Sequence, residues 1–189
     1  MKISRLFSYD KYKGSFMYLD TQAKYEIART ILYFAVSFGI FFAGFFATGT
    51  RINLLTVVAV LGMLPASKSL VSAIMFLRYK SCTEKFDENL PDNSILNAYD
   101  MVFTSEKINY PILHLCVSDT CVIGYTEKKD FKENLFKDHI SSILSAERIG
   151  RVTIKIFTDK KAYISRISSL GASGREDEQI MTVLKQIVL

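Results

Sequence analysis

Three residues stand at spacings where they could do chemistry together: His114, Cys116 and Cys121. Imidazole and thiolate are ligands that zinc prefers, and a thiol beside a histidine is also the pairing that yields a reactive sulfur. His114 and Cys116 are two apart, so on an extended strand they share a face. A turn centred on residues 118–119 sets Cys116 opposite Cys121 across a hairpin. A structural zinc site needs four ligands, and only Cys82 and His139 remain to complete one, each remote in sequence. The C-x4-C spacing is also not that of a C-x2-C knuckle. The competing reading is core packing, where cysteine behaves as a small hydrophobe. Packing is the expectation for these residues, with no catalytic residue, metal or cofactor assigned. The chain has no dinucleotide fingerprint, Walker loop, H-E-x-x-H or G-x-S-x-G, so the motif-borne chemistries are without support.

The elements that must position these residues occupy the C-terminal half. Strands are predicted at 100–104, 112–117 and 121–126, the last two forming a hairpin. A helix over 131–148 follows, with Asp130 and Glu133 as its capping box. The segment 152–157 alternates and predicts an internal strand. Asp159 caps a short helix carrying Tyr163, Ile164, Ile167 and Leu170, with Gly171 just past its end. Ser173 and Glu176 mark the start of a final helix with Ile180, Val183 and Leu184. The order is β-β-β-α-β-α-α, an α+β fold over 99–189. A basic stretch, Arg148, Arg151, Lys155, Lys160, Lys161 and Arg166, runs around the fourth strand.

The three strands, helix and strand over roughly 100–157 resemble the core of the restriction-endonuclease-like nucleases. That resemblance implies an acid near one strand and Glu-x-Lys on the next, holding magnesium. Asp100 or Asp119 could supply the acid. The strand after Asp119 has no Glu-x-Lys, and Glu127, Lys128 and Lys129 spell the triplet only beyond its end. Residues 78–189 carry 16 Lys or Arg against 16 Asp or Glu, so the region has no net charge for a nucleic-acid backbone.

The rest of the chain is a different material. Of 189 residues 49% are apolar, and the mean hydropathy is +0.17. Disordered and collagen-like classes are excluded by that composition. Residues 31–48 are free of charge and cover ~27 Å as a helix, near the hydrocarbon thickness. Residues 52–77 hold one charge, Lys68, and also Pro65. Only residues 49–51 intervene, so a transmembrane hairpin is expected, without removal of a leader. Residues 1–77 carry 8 basic and 3 acidic side chains. Lys2, Arg5, Lys11, Lys13, Lys24 and Arg29 precede the spans, Arg78, Lys80 and Lys85 follow them, and Arg51 alone sits between. The positive-inside rule then places both termini in the cytoplasm and the cysteines in a reducing compartment. Lys68 is read as snorkelling from a kinked span. Small residues at Ala35, Gly39, Ala43 and Ala47, and at Ala59, Gly62 and Ala66, are read as packing surfaces within the hairpin, toward a further copy or toward a larger membrane partner.

The expected organisation is a basic and aromatic juxtamembrane segment over 1–28, the hairpin over 29–77, a linker over 78–98 and the cytosolic domain over 99–189. The expected function is a membrane-anchored interaction or regulatory module of the inner membrane, part of a larger or homo-oligomeric assembly. Its expected contacts are membrane lipid, including anionic headgroups at the basic stretch, and a protein partner, with no nucleic acid. The alternatives are a tethered enzyme using thiol or metal chemistry at the hairpin, or a catalytically empty nuclease-like domain.

Overall fold

A computed structural model describes residues 10–91, 94–105 and 108–189. Compact units form from Leu19–Lys80 and from Asp10–Tyr18 with Ser81–Leu189. Lys2, Arg5, Phe7 and Tyr9 of the N-terminal basic and aromatic segment, and the turn residues Asp92 and Asn93, lie outside the described residues.

The first unit is a pair of long apolar helices, α1 (Tyr18–Thr48) and α2 (Leu54–Leu77). α1 starts well before residue 31, with Asp20 in its first turn. Asn53 caps α2, its side chain accepting from the Thr56 N–H at 2.9 Å. Pro65 stands inside α2 without ending it. The contacts between the helices recur at a seven-residue spacing. Thr30 Oγ1 lies 3.0 Å from Ser69 Oγ. A Cβ at Gly62 would stand 2.7 Å from Ser37 Oγ, and one at Gly44 would stand 2.7 Å from Leu55 Cβ. Thus 30, 37 and 44 meet 69, 62 and 55 in antiparallel register, and Ala59, Ala66 and Ala73 are buried along the same side of α2. Seven residues return a helix almost to the same side after two turns. A spacing of four drifts by about 40° per step. Ala35, Gly39, Ala43 and Ala47 accordingly face outward, all exposed, with nothing within 4 Å of a Cβ at Gly39.

The second unit is a four-stranded sheet with helices on both faces. β1 (Leu96–Thr104), β2 (Asn109–Ser118), β3 (Cys121–Tyr125) and β4 (Thr153–Phe157) lie side by side in chain order. The first two pairings are antiparallel and β3–β4 is parallel. The crossover between β3 and β4 carries α3 (Glu133–Ala146); α4 (Lys160–Ile167) and α5 (Arg175–Gln186) follow β4. One face packs Phe103, Ile112 and Leu115 against Phe136 and Ile140 of α3 and Ile180 and Leu184 of α5. The other packs Tyr99, Cys116 and Ile123 against Tyr163 and Ile167 of α4. Cys82, Phe86 and Ile95, from the stretch expected as a linker, belong to this second core.

β4 is an edge strand, not the internal strand its alternation predicts. Its apolar residues Ile154 and Ile156 are buried from one face only, while Thr153 and Lys155 are exposed on the other. The β1 edge is closed differently. Gly14 accepts the Tyr99 N–H at 2.9 Å, Val102 accepts the Leu189 N–H at 3.1 Å, and Val188 bridges to Phe103. Gly14 has φ +80, and a Cβ there would stand 3.0 Å from Ala98 Cβ. Only glycine meets both conditions without strain.

Asp100 interrupts β1 with φ 55, and the pairing skips from Tyr99↔His114 to Met101↔Ile112. The residues facing the α3 side therefore change parity, from Leu96 and Ala98 to Met101 and Phe103. Its carboxylate Oδ1 accepts the Cys82 N–H at 2.6 Å, which holds the distortion.

The helix ends depart from the predicted caps. Lys132, not Asp130, precedes α3, and Glu133 turns to Lys137 at 2.8 Å and to the Ile156 N–H at 3.4 Å. α3 ends with Arg148 at φ 59, its N–H donating to Ser145 O while the Ile149 N–H donates to Leu144 O. This is a Schellman end without its usual glycine. α4 is capped by Asp159 as predicted, and its last residue is Ile167, well before Gly171. Gly174 rather than Ser173 precedes α5, its N–H donating to Asp177 Oδ2 at 2.7 Å. Asp177 also accepts the N–H groups of Asp119 (3.2 Å) and Thr120 (2.9 Å). Those two residues form the β2–β3 turn with φ 51 and 55, the signs of a type I′ turn. Thr120 is β-branched and unsuited to that region, so the clamp offsets local strain.

Replacing Asp177 by Ala is expected to lower unfolding free energy by about 2–4 kcal/mol, a lost cap plus turn amides left unpaired. Chemical denaturation checks this, and Asp177→Asn, which keeps one acceptor, should lose less. In the helix pair, Gly62→Val should cost about 1–3 kcal/mol by overpacking against Ser37. It should slow disulfide formation in a Thr30→Cys/Ser69→Cys chain, whereas Gly39→Val should leave that rate unchanged.

Candidate functional site

His114 lies in β2 with its side chain fully buried on the α4 side of the sheet. Phe86 stacks on the ring at 5.1 Å and 18°, and the Tyr99 ring stands 4.4 Å away. The Nδ1 atom is 2.6 Å from Tyr163 Oη of α4, and Nε2 has no hydrogen-bond partner among the described residues. Burial holds the imidazole down to about 3, so the ring is neutral at physiological pH. The neutral ring and the Tyr163 hydroxyl share one hydrogen bond at Nδ1. Burial also keeps that phenol well above its ordinary range.

Cys116 follows on the same face, its Sγ 3.8 Å from Tyr163 Oη and 3.9 Å from His114 Nδ1. Burial pushes its thiol up to about 12, so it carries essentially no thiolate near neutrality. The turn centres on 119–120, one residue later than the sequence reading, and this resets the register. Cys116 stands opposite Ile123, and Cys121 opposite Ser118. Cys121 is partly exposed; Cys82 is buried, its thiol raised by desolvation. His139 sits on α3, its ring 6.5 Å from that of Tyr110, on the opposite face of the sheet from His114. Among the described residues no three His, Cys, Asp or Glu side chains converge on a metal-holding position. The nuclease-like acids do not assemble either. Asp100 Oδ1 is bonded to the Cys82 N–H, Asp119 lies in the turn before β3, and Glu127, Lys128 and Lys129 are exposed past the far end of β3.

The arrangement at His114 therefore locks elements together. The phenol of Tyr99 accepts the Phe86 N–H at 2.8 Å and donates to Asp87 Oδ1 at 2.9 Å. β1, β2, α4 and the 82–90 segment meet at these rings. The sequence did not single out Tyr163 or Phe86 as partners of His114, because their approach is set by tertiary packing.

A second polar cluster sits within the helix pair. Glu26 is 2% exposed. Its carboxylate accepts from Arg29 Nη1 (2.9 Å), Gln22 Nε2 (3.1 Å) and Ser69 Oγ (3.1 Å). Lys68, the ionisable residue that the sequence singled out, is exposed beside it. Glu26 precedes the charge-free run and escapes a reading by hydropathy. Its signal is position: 26, 30, 37 and 44 follow the three-four and seven-residue steps of a helical seam.

The basic stretch is divided. Arg148, Arg151, Lys155, Lys161 and Arg166 are exposed. Lys160 is ion-paired with Glu84, and Lys155 Nζ lies over the Phe157 ring at 5.2 Å. A cleft of about 470 Å³ adjoins Arg151 between the end of α3 and β4.

The His114 site makes a pH prediction. The folded imidazole titrates near 3 and the unfolded one near 6.5. As pH falls below 6.5 the unfolded chain takes up a proton that the folded chain refuses. Stability is complete above pH 6.5 and should fall toward pH 3 by up to about 1.4 kcal/mol per pH unit. Denaturant midpoints between pH 7 and 4 measure it, and His114→Phe should flatten the slope. An equally steep slope in the variant would assign it to other groups.

No protein-family model, curated protein or solved structure matches this chain.

Proposed function

We propose that the chain is a two-span protein of the cytoplasmic membrane whose sheet unit is a cytosolic interaction module. The observation that carries this reading is where large apolar side chains are exposed. Among the described residues all of them except Met17, Ile52 and Leu135 lie on α1 and α2. Phe46 is 81% and Leu54 79% exposed. A Leu, Ile or Phe left in water forgoes about 1.5–3 kcal/mol. Eighteen such side chains, most about half exposed, forgo together more than the roughly 5–15 kcal/mol by which a domain is stable. Hydrocarbon removes that cost, and both helices are long and apolar enough to cross it.

The orientation rests on Lys and Arg before α1 and after α2, with Arg51 alone in the turn. Lys68, beside the Glu26 cluster, reaches toward the inner headgroups. The exposed face of Ala35, Gly39, Ala43 and Ala47 leaves room for a second helical pair. The exposed cations around β4 suit contact with an anionic surface. The interaction role is favoured over catalysis because the thiol and imidazole most suited to chemistry are sealed, with Cys116 protonated and His114 neutral.

Labelling tests the topology. In spheroplasts a membrane-impermeant maleimide should reach the Thr50→Cys thiol, while Cys121 should react only after lysis. Labelling of Cys121 from outside, or release of the full chain by alkaline carbonate, would overturn the reading.

A further inference from the structure

One edge of the sheet is left open. Both flanks of the sheet unit close β1, through Gly14 and through Val188 and Leu189. At β4 the parallel pairing to β3 uses the backbone groups of alternate residues: the Thr153 N–H donates to Thr120 O, and the Thr126 N–H to Phe157 O. The backbone groups of Ile154 and Ile156 therefore point away from the sheet. Glu133 accepts the Ile156 N–H. Among the described residues, nothing bonds the Ile154 N–H or the carbonyls of Ile154 and Ile156.

Two further features lie on this edge. The cleft at its start is lined by Ser141, Leu144, Ser145, Ile149, Arg151 and Val152, apolar and polar side chains together. Lys155 is exposed on β4 itself, Arg148 and Arg151 are exposed in the segment that leads into it, and Lys161 is exposed in the first turn of α4. The acids nearby are committed elsewhere: Asp159 caps α4, and Glu133 holds Lys137 and Ile156. Among the described residues, Glu147 at the end of α3 and Asp138 within it are exposed without such a role.

We infer that β4 accepts an added strand, and that this strand is an acidic extended segment of a partner protein. The inference rests on the interaction-module reading and names its partner class. Main-chain bonds to an open edge supply affinity, and a pocket beside it supplies selection. A second copy is the wrong occupant. An antiparallel β4 pair brings Lys155 toward its own symmetry mate, and like charges across strands repel. An edge lysine thus blocks self-pairing while favouring glutamate or aspartate.

The test uses the full-length chain in phosphatidylcholine nanodiscs and a peptide of about eight residues alternating valine and glutamate, the length of an ordinary strand. Binding is read by fluorescence anisotropy and by amide exchange at Ile154. The peptide should bind and slow exchange at Ile154. The same peptide N-methylated at alternate amides, and a valine–lysine peptide, should bind at least about tenfold more weakly. Arg151→Glu with Lys155→Glu should reverse the charge preference. Equal binding of the N-methylated peptide would reduce the surface to charge alone and overturn the inference. So would a response of the edge to short-chain phosphatidylserine but not to the peptide, which assigns it to lipid. Maleimide labelling is independent of both: a hairpin that inserts without peptide binding loses only the strand site, and peptide binding without insertion loses only the anchor.

Discussion

Removal of apolar surface from water is met in two incompatible ways along this chain. The sheet unit meets it internally. Helices cover both faces, and Leu135 is the only large apolar side chain exposed in residues 81–189 among those described. The helix pair cannot do the same, because two helices share only one seam. It also fills most of that seam with small and polar side chains, Thr30, Ser37 and Gly44 against Ser69 and Gly62, with Leu55 over Gly44, and turns Phe38, Phe42 and Phe46 outward. In water that distribution is inverted. In lipid, where no hydrophobic force draws helices together, close approach and interhelical hydrogen bonds are what remain to hold them. The sheet unit thus has the surface of a domain in water, and the helix pair has the length and composition of helices that can cross a bilayer.

Within the sheet unit, polar groups act as fasteners. His114 and Tyr163 tie β2 to α4, Tyr99 ties β1 to the 82–90 segment, and Asp177 ties the β2–β3 turn to α5. The His114–Tyr163 and Phe86–Tyr99 bonds are buried, where an unpaired partner is expensive and a satisfied one rigidifies; the Asp177 clamp is half-buried. The residues most suggestive of chemistry are therefore the ones most committed to architecture. What stays free is the β4 side, where edge, cations and cleft coincide.

Much of the fold is legible in the residue order. The apolar runs 112–117 and 121–126 around a short turn, the apolar spacing of Phe136, Ile140 and Leu144, and the Asp159 cap all lead to elements that form. The charge-free run at 31–48 likewise lies inside a long helix. The remainder depended on distant partners. Nothing local marks Asp100 as the point where β1 changes face; its backbone is held by Cys82, from outside the strand. Asp177 reads as one of three consecutive acids at a helix start, yet it serves a turn far away in sequence. The helix seam was obscured because attention to small residues selects Ala35, Gly39, Ala43 and Ala47, whereas the packed side includes Glu26, Thr30 and Ser37. For the candidate site, the spacing of His114 and Cys116 puts them on one face. Only the aromatic rings around them show that the face is closed.

The clamp on the β2–β3 turn also bears on the order in which the molecule is made. A hairpin of neighbouring strands is ordinarily the earliest structure a growing chain can finish, since everything it needs is local. Here the two left-handed residues at its tip are held by a carboxylate 57 residues beyond Thr120. During synthesis from the N-terminus, that carboxylate leaves the ribosome only after the whole hairpin, α3, β4 and α4. Val188 and Leu189, which close the β1 edge, leave later still. The nascent sheet therefore waits with one unclamped turn and a β1 edge covered only at Tyr99, the interval in which a strand-pairing protein is most exposed to wrong partners.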